Sequence, residues 1–124
     1  MRTLIVADDN AHMRWLVRTT LRDRFDHIVE VVDGRELFRE LVHSSMTRKV
    51  SDVVVVTDIR MPAYSGLDVL ATYDDLGYHP TTIVMTAFPD GDAYASTERA
   101  GGTLIPKPFA TAELCAVVDR ACAR

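Results

Sequence analysis

Five side chains in this sequence are of types that do chemistry together, and each one closes or follows a short apolar run. Asp8 and Asp9 come after Thr3–Ala7, Asp58 after Val53–Thr57, Thr86 closes Thr82–Thr86, and Lys107 comes just past Thr103–Ile105. Three carboxylates gathered in one crevice repel one another, and a single lysine cannot offset them. Either a proton is retained at a raised pKa or a cation binds. A cluster of oxygens without His or Cys favours a hard ion, Mg²⁺ or Mn²⁺, over zinc. Magnesium takes few protein ligands and leaves places for water and a phosphoryl group. The chemistry indicated is therefore phosphoryl transfer, with metal and lysine stabilising spread oxygen charge. A carboxylate can itself be the acceptor, forming an acyl phosphate. Asp58, at the end of the middle run with neighbours on both sides, is the best placed.

That cluster exists only if the chain brings the ends of these runs together. The runs Thr3–Ala7, Ile28–Val32, Val53–Thr57, Thr82–Thr86 and Thr103–Ile105 are short and mostly β-branched. They read as strands of a parallel sheet, apolar on both faces. Helical patterns lie between and after them. Met13, Leu16, Val17, Thr20 and Leu21 form one stripe, with Asn10 as N-cap. Leu37, Leu41 and Val42 mark a second helix over about Arg35–Ser45, entered through Gly34. Leu67, Leu70 and Ala71 mark a third, between Ser65 as cap and Gly77 as stop. Asp90–Ala100 is a polar fourth, and Leu114, Val117, Val118 and Ala121 mark the last, from Thr111 with Glu113 in its first turn. Five repeats of strand and helix predict an α/β fold with right-handed crossovers. The predicted architecture is a doubly wound, five-stranded parallel sheet of order 2-1-3-4-5, a three-layer sandwich. In that order the ligand crevice opens between the first and third strands, where Asp8, Asp9 and Asp58 converge beside Thr86 and Lys107.

Composition narrows the classes further. The chain has 124 residues, 48% hydrophobic and 26% charged, with a net charge of −4. That is one domain, residues 1–124, and a core of this size folds without a disulfide or structural metal. The acidic balance argues against a basic nucleic-acid surface spread over the chain. No apolar stretch approaches the roughly 18–20 residues of a membrane span, and the early aspartates do not suit a signal peptide. Cys115 and Cys122 read as small hydrophobes on one helical stripe, as in a reduced cytoplasm. The four histidines show no ligand spacing and read as surface or packing residues.

The segments LIVADDN, VVDGRELF, VVVVTDIRMPAYSGLDVL, TIVMTAF and LIPKPF resemble, in order and spacing, the receiver domain of two-component response regulators, the CheY-like, flavodoxin-like group. The resemblance covers the whole chain and implies specific roles. Asp58 would be the phosphoacceptor. Asp9 would bind Mg²⁺ directly and Asp8 through water, with Asp58 and the backbone carbonyl of Arg60 completing the protein ligands. Thr86 would hydrogen-bond the phosphoryl group and Lys107 would pair with it, next to a cis Lys107–Pro108 bond. The donor would be a histidine kinase or phosphotransfer protein, and the output a downstream effector protein or an output domain. No direct nucleic-acid or membrane partner is implied, while a phosphorylation-dependent homodimer is allowed. Phosphorylation would shift Thr86 and repack the face made by the fourth helix, fifth strand and fifth helix. The family usually carries an aromatic residue three positions before the lysine; here it is Leu104. Leu104 then either packs inward in both states or leaves the signal to another group.

Two competing classes fare worse. A haloacid-dehalogenase-like phosphatase also puts a nucleophilic Asp beside Mg²⁺, but it needs a general acid two residues on, where this chain has Arg60. A flavodoxin-like cofactor binder needs a phosphate loop where ADDNAHM places negative charge. The chain is thus expected to be no enzyme beyond self-phosphorylation from small phosphodonors and self-dephosphorylation. Pro106, lacking an N–H, marks the last strand as an edge that ends there. Trp15 lies opposite the first helix's stripe, beside Arg18 and Arg22. It is expected either to pack partly on the last helix or to contact the phosphodonor protein.

Overall fold

The computed structural model describes residues 1–123, so Arg124, the last residue of the expected domain, lies outside the described residues. Five strands, β1 (Thr3–Ala7), β2 (His27–Val31), β3 (Val53–Asp58), β4 (Thr81–Thr86) and β5 (Thr103–Pro106), form one sheet in the order β2-β1-β3-β4-β5. Every pairing is parallel. The helices are α1 (Ala11–Leu21), α2 (Gly34–Thr47), α3 (Gly66–Asp75), α4 (Gly91–Arg99) and α5 (Thr111–Cys122). This is the expected strand order and the expected alternation.

The period of two along a strand divides the core in half. Leu4, Val6, Val54 and Val56 pack with Val17 and Leu21 of α1 and Leu114 and Val118 of α5. Ile5, Ala7, Val53 and Val55 pack on the other side with Leu37 and Leu41 of α2 and Val69 and Tyr73 of α3. Each such fully buried Leu or Val contributes about 1.5–3 kcal/mol over leaving it in water. The two cysteines are free and half-buried against the first of these layers, as small hydrophobes.

Four helices start on a side-chain cap. Asn10, Asp33, Ser65 and Asp90 accept hydrogen bonds from the backbone N–H groups of Met13, Glu36, Asp68 and Ala93. At α5 the roles reverse, and Glu113 accepts from the N–H of Ala110. Even the polar α4, which buries only Thr97, forms on this basis. Gly77, just past α3, has φ +80°, the left-handed geometry that stops a helix there.

The structure corrects several local expectations. β2 starts one residue early and is an edge strand; His27 and Glu30 are exposed, so it is not apolar on both faces. Val42 faces solvent and Ser44 takes the buried position on α2, whose helix runs on to Thr47. On α3 the buried stripe is Gly66, Val69, Leu70 and Tyr73, while Leu67 is half-buried and Ala71 exposed. Gly66 sets that rotation, because its bare Cα is what lets the helix meet β3. Trp15 is 57% exposed and stacks on His12 at 5.8 Å between ring centroids. β5 is the other edge and ends on Pro106, as expected.

Candidate functional site

The carboxyl ends of β1, β3, β4 and β5 meet at one crevice. Asp8 is the first residue past β1; its N–H donates to Val31 O of β2 at 3.2 Å. Its side chain is almost fully buried, with Oδ1 accepting from the Asn10 N–H at 2.9 Å and Oδ2 from Lys107 Nζ at 3.0 Å. Asp58 ends β3 and is 9% exposed, and its Oδ2 lies 3.3 Å from the same Nζ. Asp9 is exposed at the rim. One carboxylate oxygen from each of Asp8, Asp9 and Asp58 lies within 4.8 Å of the others. The donor set is all oxygen and carries an excess of negative charge, which fits a hard divalent cation.

Backbone contacts hold these side chains in place. The N–H of Lys107 donates to Thr86 O at 2.7 Å, which ties the end of β5 to the end of β4. The N–H of Ile59 donates to Met85 O, and that of Gly66 to Ile59 O at 2.9 Å. The loop after Asp58 is thereby folded tightly back onto the sheet. Thr86 is 3% exposed, and its hydroxyl oxygen accepts from the Phe88 N–H at 3.0 Å. The Lys107–Pro108 bond is cis.

Charge crowding shows in the Asp58 carboxyl. Burial pushes its pKa above the ordinary value; Lys107 opposes this, the nearby Asp8 adds to it, and hydrogen bonds from Lys107 and the Arg60 backbone lower it. The group is under pressure to be neutralised by a proton, a cation or a covalent bond.

Asp8, Asp9, Asp58 and Lys107 are thus brought to one place, and Thr86 is joined to Lys107 through its backbone carbonyl. Arg60 is exposed, with its guanidinium 4.5 Å from the centre of the Phe88 ring, a contact that bridges the loops after β3 and β4. No sequence signal paired those two residues. Arg14 and Glu30 were also missed. Arg14 donates to the backbone carbonyl of Asp8 at 2.9 Å and lies 3.4 Å from Glu30. A basic residue one turn into α1 reads as a solvated charge until β2 is placed beside it. Leu104 is half-buried on β5, and all four histidines are exposed. Among the described residues, no helix is long and apolar enough to cross a membrane.

Comparison with known proteins agrees with this geometry. Residues 4–119 match the family model of the response regulator receiver domain. The DNA-binding transcriptional regulator NtrC of Klebsiella pneumoniae is 32% identical over 117 residues, covering 94% of this chain but 24% of NtrC. The chain therefore spans about a quarter of that relative's length. Chemotaxis protein CheY1 of Helicobacter pylori is 30% identical over 110 residues, covering 86% of this chain and 85% of CheY1. Among solved structures, the BeF3-activated DrrB receiver domain superposes with a TM-score of 0.83 at 22% identity, covering 100% of this chain and 99% of that one. CheY4 of Vibrio cholerae superposes with a TM-score of 0.79 at 21% identity, covering 98% of each chain. These two likenesses establish the fold, and the family match establishes the rest: the chain belongs to the response regulator receiver domain family of two-component signal transduction.

Proposed function

We propose that residues 1–124 act as one receiver that takes a phosphoryl group on Asp58 with Mg²⁺ present. The observation that carries this reading is the position of Lys107 Nζ, 3.0 Å from Asp8 and 3.3 Å from Asp58, with Asp9 completing a three-carboxylate cluster. Asp9, Asp58 and the Arg60 carbonyl would hold the ion, with Asp8 acting through water; Mn²⁺ has the same ligand preferences. The bound ion supplies positive charge where the transferring oxygens gather theirs.

The chain's own groups do the remainder. An Asp58 oxygen attacks phosphorus in line, the P–O bond forms as the P–N bond of a phosphohistidine breaks, and the imidazole leaves. Lys107 follows the charge from the carboxylate to the phosphoryl oxygens while Asp8 keeps hold of it. The Thr86 hydroxyl already accepts from Phe88, so its own proton is free to be donated to a phosphoryl oxygen. Placing about −1.5 to −2 charge at the end of β3 in place of one carboxylate biases a population shift. The face affected is α4, β5 and α5, with half-buried Leu104 within it.

The donor is a histidine kinase or phosphotransfer protein in the cytoplasm. The output is a downstream effector protein or an output domain, and a phosphorylation-dependent homodimer is compatible with it. Phosphate-ester turnover is disfavoured because Arg60 offers no general acid two residues past Asp58. The test is mass spectrometry after incubation with acetyl phosphate and Mg²⁺. One added phosphoryl group that disappears in Asp58→Asn is expected, and no addition to the wild-type protein would remove this reading.

A further inference from the structure

Both main-chain polar groups of Asp8 are held, the N–H by edge strand β2 and the carbonyl by Arg14 of α1. The N–H donates to Val31 O at 3.2 Å, and the carbonyl accepts from Arg14 Nη1 at 2.9 Å. Arg14 is in turn oriented by Glu30, the neighbour of Val31, through an Nε–Oε1 approach of 3.4 Å. The second oxygen of Glu30 accepts from Arg18 at 3.1 Å, so the carboxylate is gripped from both sides. The Arg14 side chain is only 16% exposed, so this is not a loose surface pair.

The carbonyl that Arg14 grips belongs to the peptide that carries Asp9. The Asp8 carboxylate has its own anchors in Asn10 and Lys107. The exposed Asp9 carboxylate has no hydrogen-bond or ion-pair partner among the described residues. Where it stands is decided by its backbone, and that backbone is fixed on the carbonyl side by Arg14. We infer that Arg14, oriented by Glu30, is a positioning residue for the divalent-cation site, holding the Asp8–Asp9 peptide so that Asp9 stays beside Asp58. This rests on Asp8, Asp9 and Asp58 being that site.

Charge and position predict opposite signs here. Arg14 is a cation close to a site for a cation, so on Coulombic grounds alone its removal tightens Mg²⁺ binding. As a positioning residue its removal loosens it. Partners that orient metal ligands typically account for 10–100-fold in affinity, so Arg14→Gln should weaken Mg²⁺ binding by roughly tenfold. Arg14→Lys, which keeps the charge and a donor, should recover part of that. Glu30→Gln should weaken binding in the same direction by a smaller factor.

The experiment is a titration of the intact chain with MgCl₂, read by calorimetry and by fluorescence of Trp15, the only tryptophan and the neighbour of Arg14. Circular dichroism of each variant checks folding. If Arg14→Gln does not fold, the exposed-edge variant Glu30→Gln carries the test. The inference is supported by weaker Mg²⁺ binding with the fold intact, and by a phosphorylation deficit that shrinks as Mg²⁺ is raised. Equal or tighter binding in the variants, beside normal wild-type binding, overturns the role of Arg14 alone. No Mg²⁺ binding by the wild-type chain overturns the site itself.

Discussion

Gly66 lies directly against the end of β3: a Cβ on it would come within 2.4 Å of the Asp58 carbonyl oxygen and 2.7 Å of the Thr57 hydroxyl. Neither is the far end of a flexible side chain. The first turn of α3 can therefore start where it does only without a side chain at position 66. Gly66→Ala must push α3 or the Asp58 backbone aside. Overpacking of this kind destabilises by about 1–3 kcal/mol. A lowered melting temperature and slower phosphorylation by acetyl phosphate, both larger than for Gly91→Ala where a Cβ meets nothing, are the expected outcome.

Asp58 makes the folded protein's stability depend on pH. Its carboxyl is raised above the ordinary value, so the native state holds the proton more tightly than the unfolded chain does. The stability this group contributes is complete below the ordinary carboxylate range and is lost as pH rises through its raised value. At neutral pH the ionised group weakens the fold. Asp58→Asn should therefore melt higher than the wild type at pH 7 without metal, and the difference should fade on acidification. A lower melting temperature for the variant at pH 7 would contradict the crowding described for the site.

Metal should relieve the same crowding. A ligand at a hundred times its dissociation constant stabilises by about 2.7 kcal/mol. Mg²⁺ at that level should raise the wild-type melting temperature, and Asp58→Asn should respond less. Chelation with EDTA should reverse the gain.

Among the described residues, Lys107 is the one cation in contact with both Asp8 and Asp58. Removing one partner from a buried ion pair typically destabilises by about 3–5 kcal/mol. Part of that should return in Lys107→Met when Mg²⁺ is supplied, because the ion offsets the same carboxylates. Phosphorylation should stay slow even at saturating Mg²⁺, since the Thr86 hydroxyl and the ion do not replace the ammonium that follows the charge onto the phosphoryl oxygens. Wild-type rates in this variant would exclude that role.

Trp15 separates docking from chemistry. It is 57% exposed and stacks on His12, so it is free to meet a protein surface. Trp15→Ala should lower phosphotransfer from the cognate kinase or phosphotransfer protein by roughly tenfold, as loss of an interface anchor does. The rate with acetyl phosphate should not change. Equal losses with both donors would place Trp15 in the site's architecture instead.

Much of this was legible in the residues. Runs such as Val53–Val56 declare a two-sided strand, their alternation with helices declares a parallel sheet, and the order found is the common doubly wound one for five strands. Asp8, Asp9, Asp58, Thr86 and Lys107 were found because each stands at the end of such a run. What failed is equally physical. Val42 looked like part of a core stripe because periodicity reports hydrophobic residues and not which of them a neighbour covers. On α3 Leu70 is buried as its spacing predicts, while Leu67 and Ala71 turn outward because close approach at Gly66, not hydrophobicity, decides the rotation of that helix. Arg14 and Glu30 meet only across the fold. They sit on a helix and an edge strand sixteen residues apart, and nothing in either segment names the other.

The two edges of the sheet bear on how copies of this chain can assemble. β5 is four residues long and closes on Pro106, which has no N–H to offer another strand. β2 presents exposed His27 and Glu30 along the opposite border. Short, charged or proline-ended borders discourage another chain from adding itself to a ladder. Any pairing of copies would then run through side-chain contacts between helix faces, which a change in packing can make or break, and not through continuous main-chain pairing.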